Sequence, residues 1–126
     1  MYKLMVVDDE VEICDFVKSF FEERNFDVCC AYNGSEALGL AQSSSPDVIL
    51  LDMLMPVMDG MQTLKELTRR KIRSRVIMVT AIDDTAKIKE ARSNGARDYI
   101  TKPLLLENLE RAVLLAAQML DETKKK

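Results

Sequence analysis

The sequence predicts an α/β domain built on a doubly wound, five-stranded parallel sheet with helices on both faces. Short apolar runs alternate with longer stretches of helical spacing five times along the 126 residues. Four of these runs lack the in-and-out alternation of a half-exposed strand, which is typical of strands buried on both faces. Alternating elements of this length fold with right-handed crossovers into a parallel sheet. We expect one domain over residues 1–121, with 122–126 as a polar tail or the start of a linker.

The five predicted strands are residues 4–7, 28–31, 48–51, 76–79 and a short fifth run, 98–100. In the first helical stretch, Ile13, Val17, Phe20 and Phe21 share one face. Spacing of this kind gives a helix one apolar stripe that packs on the sheet.

The other four helices are predicted mainly from their end signals. Asn33 with Glu36 is typical of an N-cap and its capping-box partner. Gly60 opens the third helix, Asp83 is the expected cap of the fourth, and Pro103 marks the expected start of the fifth.

The last two helices differ in apolar content. The fifth has a full apolar stripe at spacings of three and four, comprising Leu106, Leu109, Val113, Ala116 and Leu120. The fourth has only Ala86, Ile88 and Ala91 as anchors, so we expect low local stability there.

Polar residues with related chemistry follow four of the predicted strands. Asp8 and Asp9 follow the first, Asp52 the third and Thr80 the fourth, and Lys102 comes just after the fifth. Because parallel strands end at the same edge of a sheet, we expect these side chains to gather where open α/β sheets bind ligands. Three carboxylates with one lysine and one hydroxyl suit a divalent cation and a phosphoryl group.

The acid trio needs a partner. Two unit charges about 4 Å apart repel by about 4 kcal/mol at an effective dielectric of 20, so three pairs cost on the order of 10 kcal/mol. Proton uptake or a divalent cation can relieve this repulsion. Oxygen ligands beside a phosphate favour Mg²⁺, and an aspartate can then act as a nucleophile towards phosphorus.

Composition excludes several other classes. Eighteen Lys+Arg against 21 Asp+Glu give a net charge of -3, which argues against direct nucleic-acid binding. No apolar run is long enough for a membrane span, and the start lacks a signal-peptide pattern. Cys14, Cys29 and Cys30 form no CxxC motif, and Cys29 and Cys30 fall on opposite faces of a strand, so we expect reduced thiols in a cytoplasmic protein. The chain has no histidine, so any phosphohistidine must belong to a partner.

Each feature alone also has a structural explanation. An Asp-Asp pair at a strand end is commonly part of a solvated turn or a helix cap. A Lys-Pro pair is also common immediately before a helix, where it marks the boundary of the helix. Only their occurrence after four strands of one sheet favours a site. A basic stretch, Arg69, Arg70, Lys71, Arg73 and Arg75, could attract an acidic partner, but a solvated helix C-terminus is the favoured interpretation.

Four segments together resemble the signature of response-regulator receiver domains. They read VVDDE at residues 6–10, DMLMPVMDG at 52–60, VTA at 79–81 and GARDYITKP at 95–103. The resemblance extends over about residues 3–120 and implies the flavodoxin-like strand order 2-1-3-4-5.

The resemblance also implies roles for the acids. Asp52 corresponds to the phosphoacceptor. Asp9 and Asp52 correspond to direct Mg²⁺ ligands, the backbone carbonyl of Leu54 to a third ligand, and Asp8 to a ligand acting through water.

Further residues gain phosphate-related roles from the same resemblance. Lys102 and Thr80 would contact the phosphoryl oxygens, with the backbone N–H groups of Met53 and Ala81 completing the cradle. Thr80 and Tyr99 correspond to a switch pair that turns inward on phosphorylation. Leu54 and Ile82 flank the path of the hydrolytic water, and because both are apolar we expect slow loss of phosphate.

The predicted function is a phosphorylation-dependent signalling switch, not a metabolic enzyme, that catalyses only its own phosphorylation and dephosphorylation. Its expected donor is a histidine kinase or phosphotransfer protein. The expected output surface, formed by the fourth helix, fifth strand and fifth helix, serves an unknown effector or an effector domain absent from this chain. No membrane partner is expected, and homodimerisation on phosphorylation is left open.

Two other classes remain at this point. One is a Mg²⁺-dependent phosphatase with an aspartyl nucleophile, although such enzymes usually carry D-x-D after the first strand, whereas Asp8 and Asp9 are adjacent. The other is an interaction domain that no longer accepts phosphate, against which the intact set of acids, lysine and threonine argues.

Overall fold

The computed structural model describes residues 1–55, 57–81 and 85–124, with side chains to residue 119, and contains ten alternating elements. The strands are β1 (Tyr2–Val7), β2 (Phe26–Ala31), β3 (Val48–Asp52), β4 (Arg75–Thr80) and β5 (Ala96–Thr101). The helices are α1 (Val11–Glu22), α2 (Gly34–Ser44), α3 (Gly60–Arg69), α4 (Thr85–Ser93) and α5 (Leu106–Lys124). None of the helices described is long and apolar enough to cross a membrane.

All five strands are parallel and lie in the order β2-β1-β3-β4-β5. The predicted fold and strand order are therefore confirmed. At the carboxyl edge, Val7 of β1 is paired with Leu51 of β3, and Asp52 of β3 with Val79 of β4. This register brings the residues that end β1 and β3 to the same level.

Two apolar clusters fill the space on either side of the sheet. Met5, Ile49 and Met78 belong to the cluster that also contains buried residues of α2, α3 and α4. Leu4, Leu50 and Ile77 belong to the other, with buried residues of α1 and α5. Neighbouring residues of a strand point to opposite faces, so each uninterrupted apolar run supplies both clusters at once.

The first residues of α2 and α3 show how each helix is capped. The Asn33 side chain caps α2 by accepting from the Glu36 N–H at 2.8 Å. The Glu36 carboxylate, however, accepts from the Tyr32 N–H, one residue before the position expected for a capping box. A complete capping box occurs instead at α3, between Asp59 and Gln62.

Several predicted boundaries shift. Asp52 and Thr80 are the last residues of their strands, not the residues that follow them. The prediction that α5 starts at Pro103 was wrong, because Leu104 first packs against the second cluster and the helix begins at Leu106. The predicted cap Asp83 lies outside the described residues.

Helix α4 has few buried anchors. Of its residues, Ala91 is buried, Ile88 is partly buried and Ala86 is exposed. In α5, by contrast, Leu109, Val113 and Ala116 of the predicted stripe are buried and Leu106 is partly buried. The Leu120 side chain lies outside those described.

Candidate functional site

The structure brings the three predicted acids together at the carboxyl edge of the sheet. Asp8, Asp9 and Asp52 each offer a carboxylate oxygen, and these oxygens lie within 4.8 Å of one another. Asp8 and Asp52 are buried, whereas Asp9 is exposed. The cluster therefore has a buried floor and one acid open to solvent.

Backbone contacts fix Asp8 in place. Its N–H donates to the Ala31 carbonyl at 3.1 Å, which continues the β1–β2 pairing by one residue. Its carboxylate accepts from the Glu10 N–H at 2.9 Å, and its carbonyl oxygen accepts from the Cys14 thiol at 3.4 Å. Burial raises the pKa of that thiol to about 12, so Cys14 is a neutral donor that holds the loop between β1 and α1.

Asp52 is held by its place in the sheet and by the closeness of α3. As the last residue of β3 it is paired with Val79, and the next residue, Met53, accepts from the Gly60 N–H at 2.9 Å. A Cβ on Gly60 would lie 2.2 Å from the Asp52 carbonyl oxygen. Only glycine permits this approach, which brings the start of α3 against the end of β3.

Burial sets the protonation of the two inner acids. It raises the pKa of the Asp8 carboxyl to about 6; the hydrogen bond from the Glu10 N–H opposes this rise, and the Asp52 charge adds a smaller increase. Burial also raises the pKa of Asp52, and the Lys102 ammonium opposes this rise. Asp8 and Asp52 thus hold protons more tightly than exposed carboxylates do, chiefly because burial disfavours their charged forms.

Lys102 supplies the positive charge of the site. Its Nζ lies 3.5 Å from the Asp52 carboxylate, and its backbone N–H donates to the Thr80 carbonyl at 2.7 Å. That second contact keeps the chain beside β4 for one residue beyond β5. Lys102 therefore reaches the acids from the opposite side to Asp8 and Asp9.

Thr80 and Tyr99 occupy neighbouring strands on the same face of the sheet. Thr80 is buried at the end of β4 and is paired with Thr101, while Tyr99 is paired with Met78. Tyr99 is partly buried and packs against the first cluster. The same face of the sheet therefore extends from Thr80, at the end of β4 near the acid cluster, to Tyr99 in the middle of β5.

The backbone around Asp52 differs from the expected cradle in one respect. The Met53 N–H donates to the Val79 carbonyl at 2.8 Å and is thus committed to the sheet. The Leu54 N–H instead points at the Asp52 carboxylate, at 3.5 Å. Among the described hydrogen bonds, the backbone amide that donates to the Asp52 carboxylate is therefore that of Leu54.

Other predicted residues lie at the margin of the site. Ala81 directly follows Thr80 and is exposed, and the Leu54 side chain is 57 % exposed. Ile82 lies outside the described residues. Sequence reasoning did not identify the closeness of Gly60 to Asp52 or the capping box at Asp59, although the spacing of Asp59 and Gln62 carries the signal for the latter.

The donor set suits a small, hard cation. The ligand atoms brought together are all carboxylate oxygens, and Mg²⁺ prefers oxygen ligands while keeping several waters. One exposed acid beside two buried ones leaves an open side for such waters and for a phosphoryl group. The residues present therefore fit Mg²⁺.

Comparison with known proteins decides the family. Residues 4–114 match the family described as the response regulator receiver domain. The chain belongs to this family. Receiver domains are signalling modules of two-component response regulators and accept phosphoryl groups as a class.

Solved receiver structures are closely similar. The receiver domain of the Francisella response regulator 1452 is 36 % identical, with a TM-score of 0.89, over 94 % of this chain and 98 % of that one. The Vibrio cholerae chemotaxis protein CheY4 is 30 % identical, with a TM-score of 0.87, over 92 % and 98 %. A Clostridium difficile two-component response regulator is 30 % identical, with a TM-score of 0.88, over 94 % and 97 %.

Proposed function

We propose that this receiver domain accepts a phosphoryl group on Asp52 from a phosphohistidine on a histidine kinase or phosphotransfer protein. The single observation that carries this proposal is the convergence of Asp8, Asp9 and Asp52 with Lys102 at one edge of the sheet. Asp52 is the one acid of the three that is paired with the lysine. This pairing supports Asp52, and not Asp8 or Asp9, as the proposed acceptor.

In the proposed step, a carboxylate oxygen of Asp52 attacks the phosphorus of the donor. The bond from phosphorus to the donor's imidazole nitrogen breaks, the imidazole leaves with the electron pair, and Asp52 carries an acyl phosphate. The Lys102 ammonium opposes the rise that burial causes in the pKa of Asp52, so it favours the ionised carboxylate and would face the added phosphoryl charge. The Thr80 hydroxyl and the Ala81 N–H are proposed as donors to its oxygens.

We propose Asp8, Asp9, Asp52 and the Leu54 carbonyl as the residues that hold Mg²⁺, with Asp8 acting through water. When bound, Mg²⁺ would supply positive charge that lowers the repulsion between the acids and the phosphoryl oxygens. The chain's own contribution is to fix the acids through the Glu10 N–H and the sheet pairing of Asp52.

The proposed phosphate cradle uses the Leu54 N–H in addition to the amides expected from the sequence. It lies beside the Asp52 carboxylate, whereas the Met53 N–H would first have to leave the Val79 carbonyl. We therefore expect Met53 to contribute only if β3 and β4 separate at their ends.

Output is proposed to pass through the face formed by α4, β5 and α5. Supporting this, a depression of about 490 Å³ between β5 and α5 is lined by Tyr99 and Lys102 as well as by Leu105 and the exposed Leu115. Lys102, which contacts the acid cluster, and Leu115, which lies on the exposed side of α5, thus line the same depression. An effector, an effector domain or a second phosphorylated copy is the proposed occupant, and the cytoplasm is the proposed location.

Phosphorylation of the purified protein tests the proposal. With acetyl phosphate and Mg²⁺, intact mass should rise by one phosphoryl unit, and Asp52→Asn should abolish the increase because its amide is not a nucleophile. Chelation of Mg²⁺ should also abolish it. Asp15→Asn, which removes an exposed acid of α1, is the control and should label normally.

Full labelling of Asp52→Asn would refute the assigned acceptor. Catalytic turnover of phosphate esters, without a stable phosphoprotein, would instead favour the aspartyl phosphatase class.

A further inference from the structure

A cationic surface lies at the amino edge of the sheet, opposite the acid cluster. Two adjoining depressions of about 410 and 290 Å³ share Ile72, Arg73 and Ser74 in their walls. Lys71 lines the first, and Arg75 and Arg97 line the second. Strands of five or six residues span about 17–20 Å, so this surface is well separated from Asp52. We call Lys71, Arg73, Arg75 and Arg97 the amino-edge surface.

The cations of this surface come from different elements. Lys71 and Arg73 lie in the connection between α3 and β4, Arg75 begins β4, and Arg97 is the second residue of β5. The interpretation as a solvated helix end therefore accounts for only part of the basic stretch. It fits Arg69 and Arg70, which both pair with Glu66.

A β-bulge brings Arg97 to this surface. In the pairing of β4 with β5, Val76 faces Ala96 and Ile77 faces Asp98, so Arg97 is the extra residue. A bulge re-aims the side chain of such a residue away from the regular ladder. Arg97 is exposed and close enough to Arg75 that its charge helps to lower the pKa of the Arg75 guanidinium, after the larger effect of burial.

The walls of the two depressions carry cations and no acidic side chain. Lys71, Arg73 and Arg97 form none of the ion pairs found in the described part of the chain. Two acids adjoin this surface. The Asp47 carboxylate accepts from the Lys3 N–H at 2.8 Å, and its carbonyl accepts from the Arg75 N–H at 2.9 Å. Asp98 follows Arg97 directly, and its carboxylate accepts from the Tyr99 N–H at 2.8 Å. Converging like charges raise the local potential and attract a ligand of opposite charge.

We propose that the amino-edge surface binds an acidic peptide segment of a partner protein, independently of the phosphorylation site. The depressions also have apolar walls, including Leu67, Ile72 and Val76, so a segment that combines carboxylates with aliphatic side chains fits them. Four cations are fewer than the six to ten phosphate contacts of a typical duplex-binding surface. With a net charge of -3 for the whole chain, a peptide is favoured over nucleic acid.

Fluorescence anisotropy with a labelled peptide of Glu-Glu-Leu repeats tests this proposal. A peptide with Gln in place of Glu, and an oligo(dT) of equal charge, serve as comparison probes. We expect Arg73→Glu with Arg97→Glu to weaken binding of the acidic peptide by about tenfold or more, a change of about 1.4 kcal/mol. Lys87→Glu with Lys89→Glu changes the net charge equally on the exposed side of α4 and should alter affinity by less than about twofold.

Three results would overturn the proposal: no binding of the acidic peptide by the wild-type protein, an equal loss in both double variants, or tighter binding of oligo(dT) than of the peptide. Arg73→Gln with Arg97→Gln, which introduces no new repulsion, should also weaken binding and covers the case in which charge reversal impairs folding. Binding should persist in Asp52→Asn, so failure here is distinct from failure of the proposed phosphorylation.

Discussion

At the residue scale, Asp8 is the site residue whose place in the sequence is most directly related to its chemical environment. Its carboxyl is buried and accepts a hydrogen bond from the backbone N–H of Glu10, which is the N-cap residue of α1. The sequence predicted its membership of the cluster because it ends an apolar run. The size of its pKa rise could not be predicted, since burial depends on how the rest of the chain packs around the edge of the sheet.

The metal-free protein should be destabilised by ionisation of Asp8. A carboxyl whose pKa is raised to about 6 on folding contributes stability below its unfolded value near 4, and that contribution is lost as pH rises through about 6. The full effect is about 3 kcal/mol. Asp8→Asn retains the oxygen that accepts from the Glu10 N–H, so it should raise the free energy of unfolding at pH 7 by up to that amount and much less at pH 4.

Urea unfolding in the presence of a chelator, at both pH values, measures this difference. Asp27→Asn removes an exposed acid of β2 and is the matched control. A stability gain for Asp8→Asn that is equal at both pH values would show that charge is not its cause.

Leu54 and Ile82 lead to a second prediction at this scale. Neither side chain can hold an attacking water by hydrogen bonding, as water-positioning residues of phosphoryl-transfer enzymes do. Leu54→Asn with Ile82→Glu should therefore speed loss of phosphate by about tenfold or more, a barrier change of about 1.4 kcal/mol. Phosphate release from purified phosphoprotein is the measurement, and Leu115→Asn, on the exposed side of α5, is the control.

A double variant no faster than the wild type would count against this account of lifetime. So would a wild-type phosphoprotein that decays within seconds.

At the element scale, the strands were easier to predict than the helix ends. All five strands were found, because runs such as Val48–Asp52 are buried throughout and carry no competing pattern. The start of β5 was missed because Ala96 and Arg97 precede the apolar part and form a bulge, which depends on pairing with β4. The start of α5 was misplaced because proline marks a helix start only locally, whereas packing of Leu104 decides where the chain turns.

The junction of β3 with α3 should be intolerant of any side chain at Gly60. A Cβ there would meet backbone atoms of Asp52 and Met53, at 2.2 and 2.7 Å, and backbone cannot rotate away as a side chain can. Gly60→Ala should lower the free energy of unfolding by about 2 kcal/mol or more and slow phosphorylation of Asp52.

Gly39→Ala is a sharp control, since nothing lies within 4 Å of a Cβ at that position of α2. Replacing an exposed helical glycine should stabilise the protein by up to about 1 kcal/mol. Equal effects of the two alanine substitutions in urea unfolding would contradict the close approach of α3 to β3.

At the scale of the whole molecule, the acid edge is connected with the outer face through one strand pair. Thr80 and Tyr99 lie on the same face of β4 and β5, and Tyr99 is among the residues that line the depression between β5 and α5. The sequence predicted both residues as a pair through resemblance alone. Their shared face follows from the register of β4 with β5, which the sequence does not encode in any local pattern.

Removing the Thr80 hydroxyl should separate phosphorylation from the response of the outer face. Thr80→Ala should still label at Asp52 but should reduce the change in hydrogen exchange over residues 83–102 on phosphorylation, because the hydroxyl proposed to contact the phosphoryl group is gone. Thr101→Ala, the paired position on β5, should leave the change intact. An undiminished change in Thr80→Ala would exclude Thr80 from the coupling.

The acid cluster and the amino-edge surface lie at opposite ends of the same parallel strands. Together they give the domain an electric dipole moment with a component along the strands. At an ionic strength of about 0.01 M the Debye length is roughly 30 Å, so this dipole can rotate the whole domain in the field of a charged partner before contact. At about 0.15 M the Debye length falls to roughly 8 Å, shorter than the strands, and the rotation is lost. In dilute buffer, then, an anionic partner should meet the end of the molecule that does not carry Asp52.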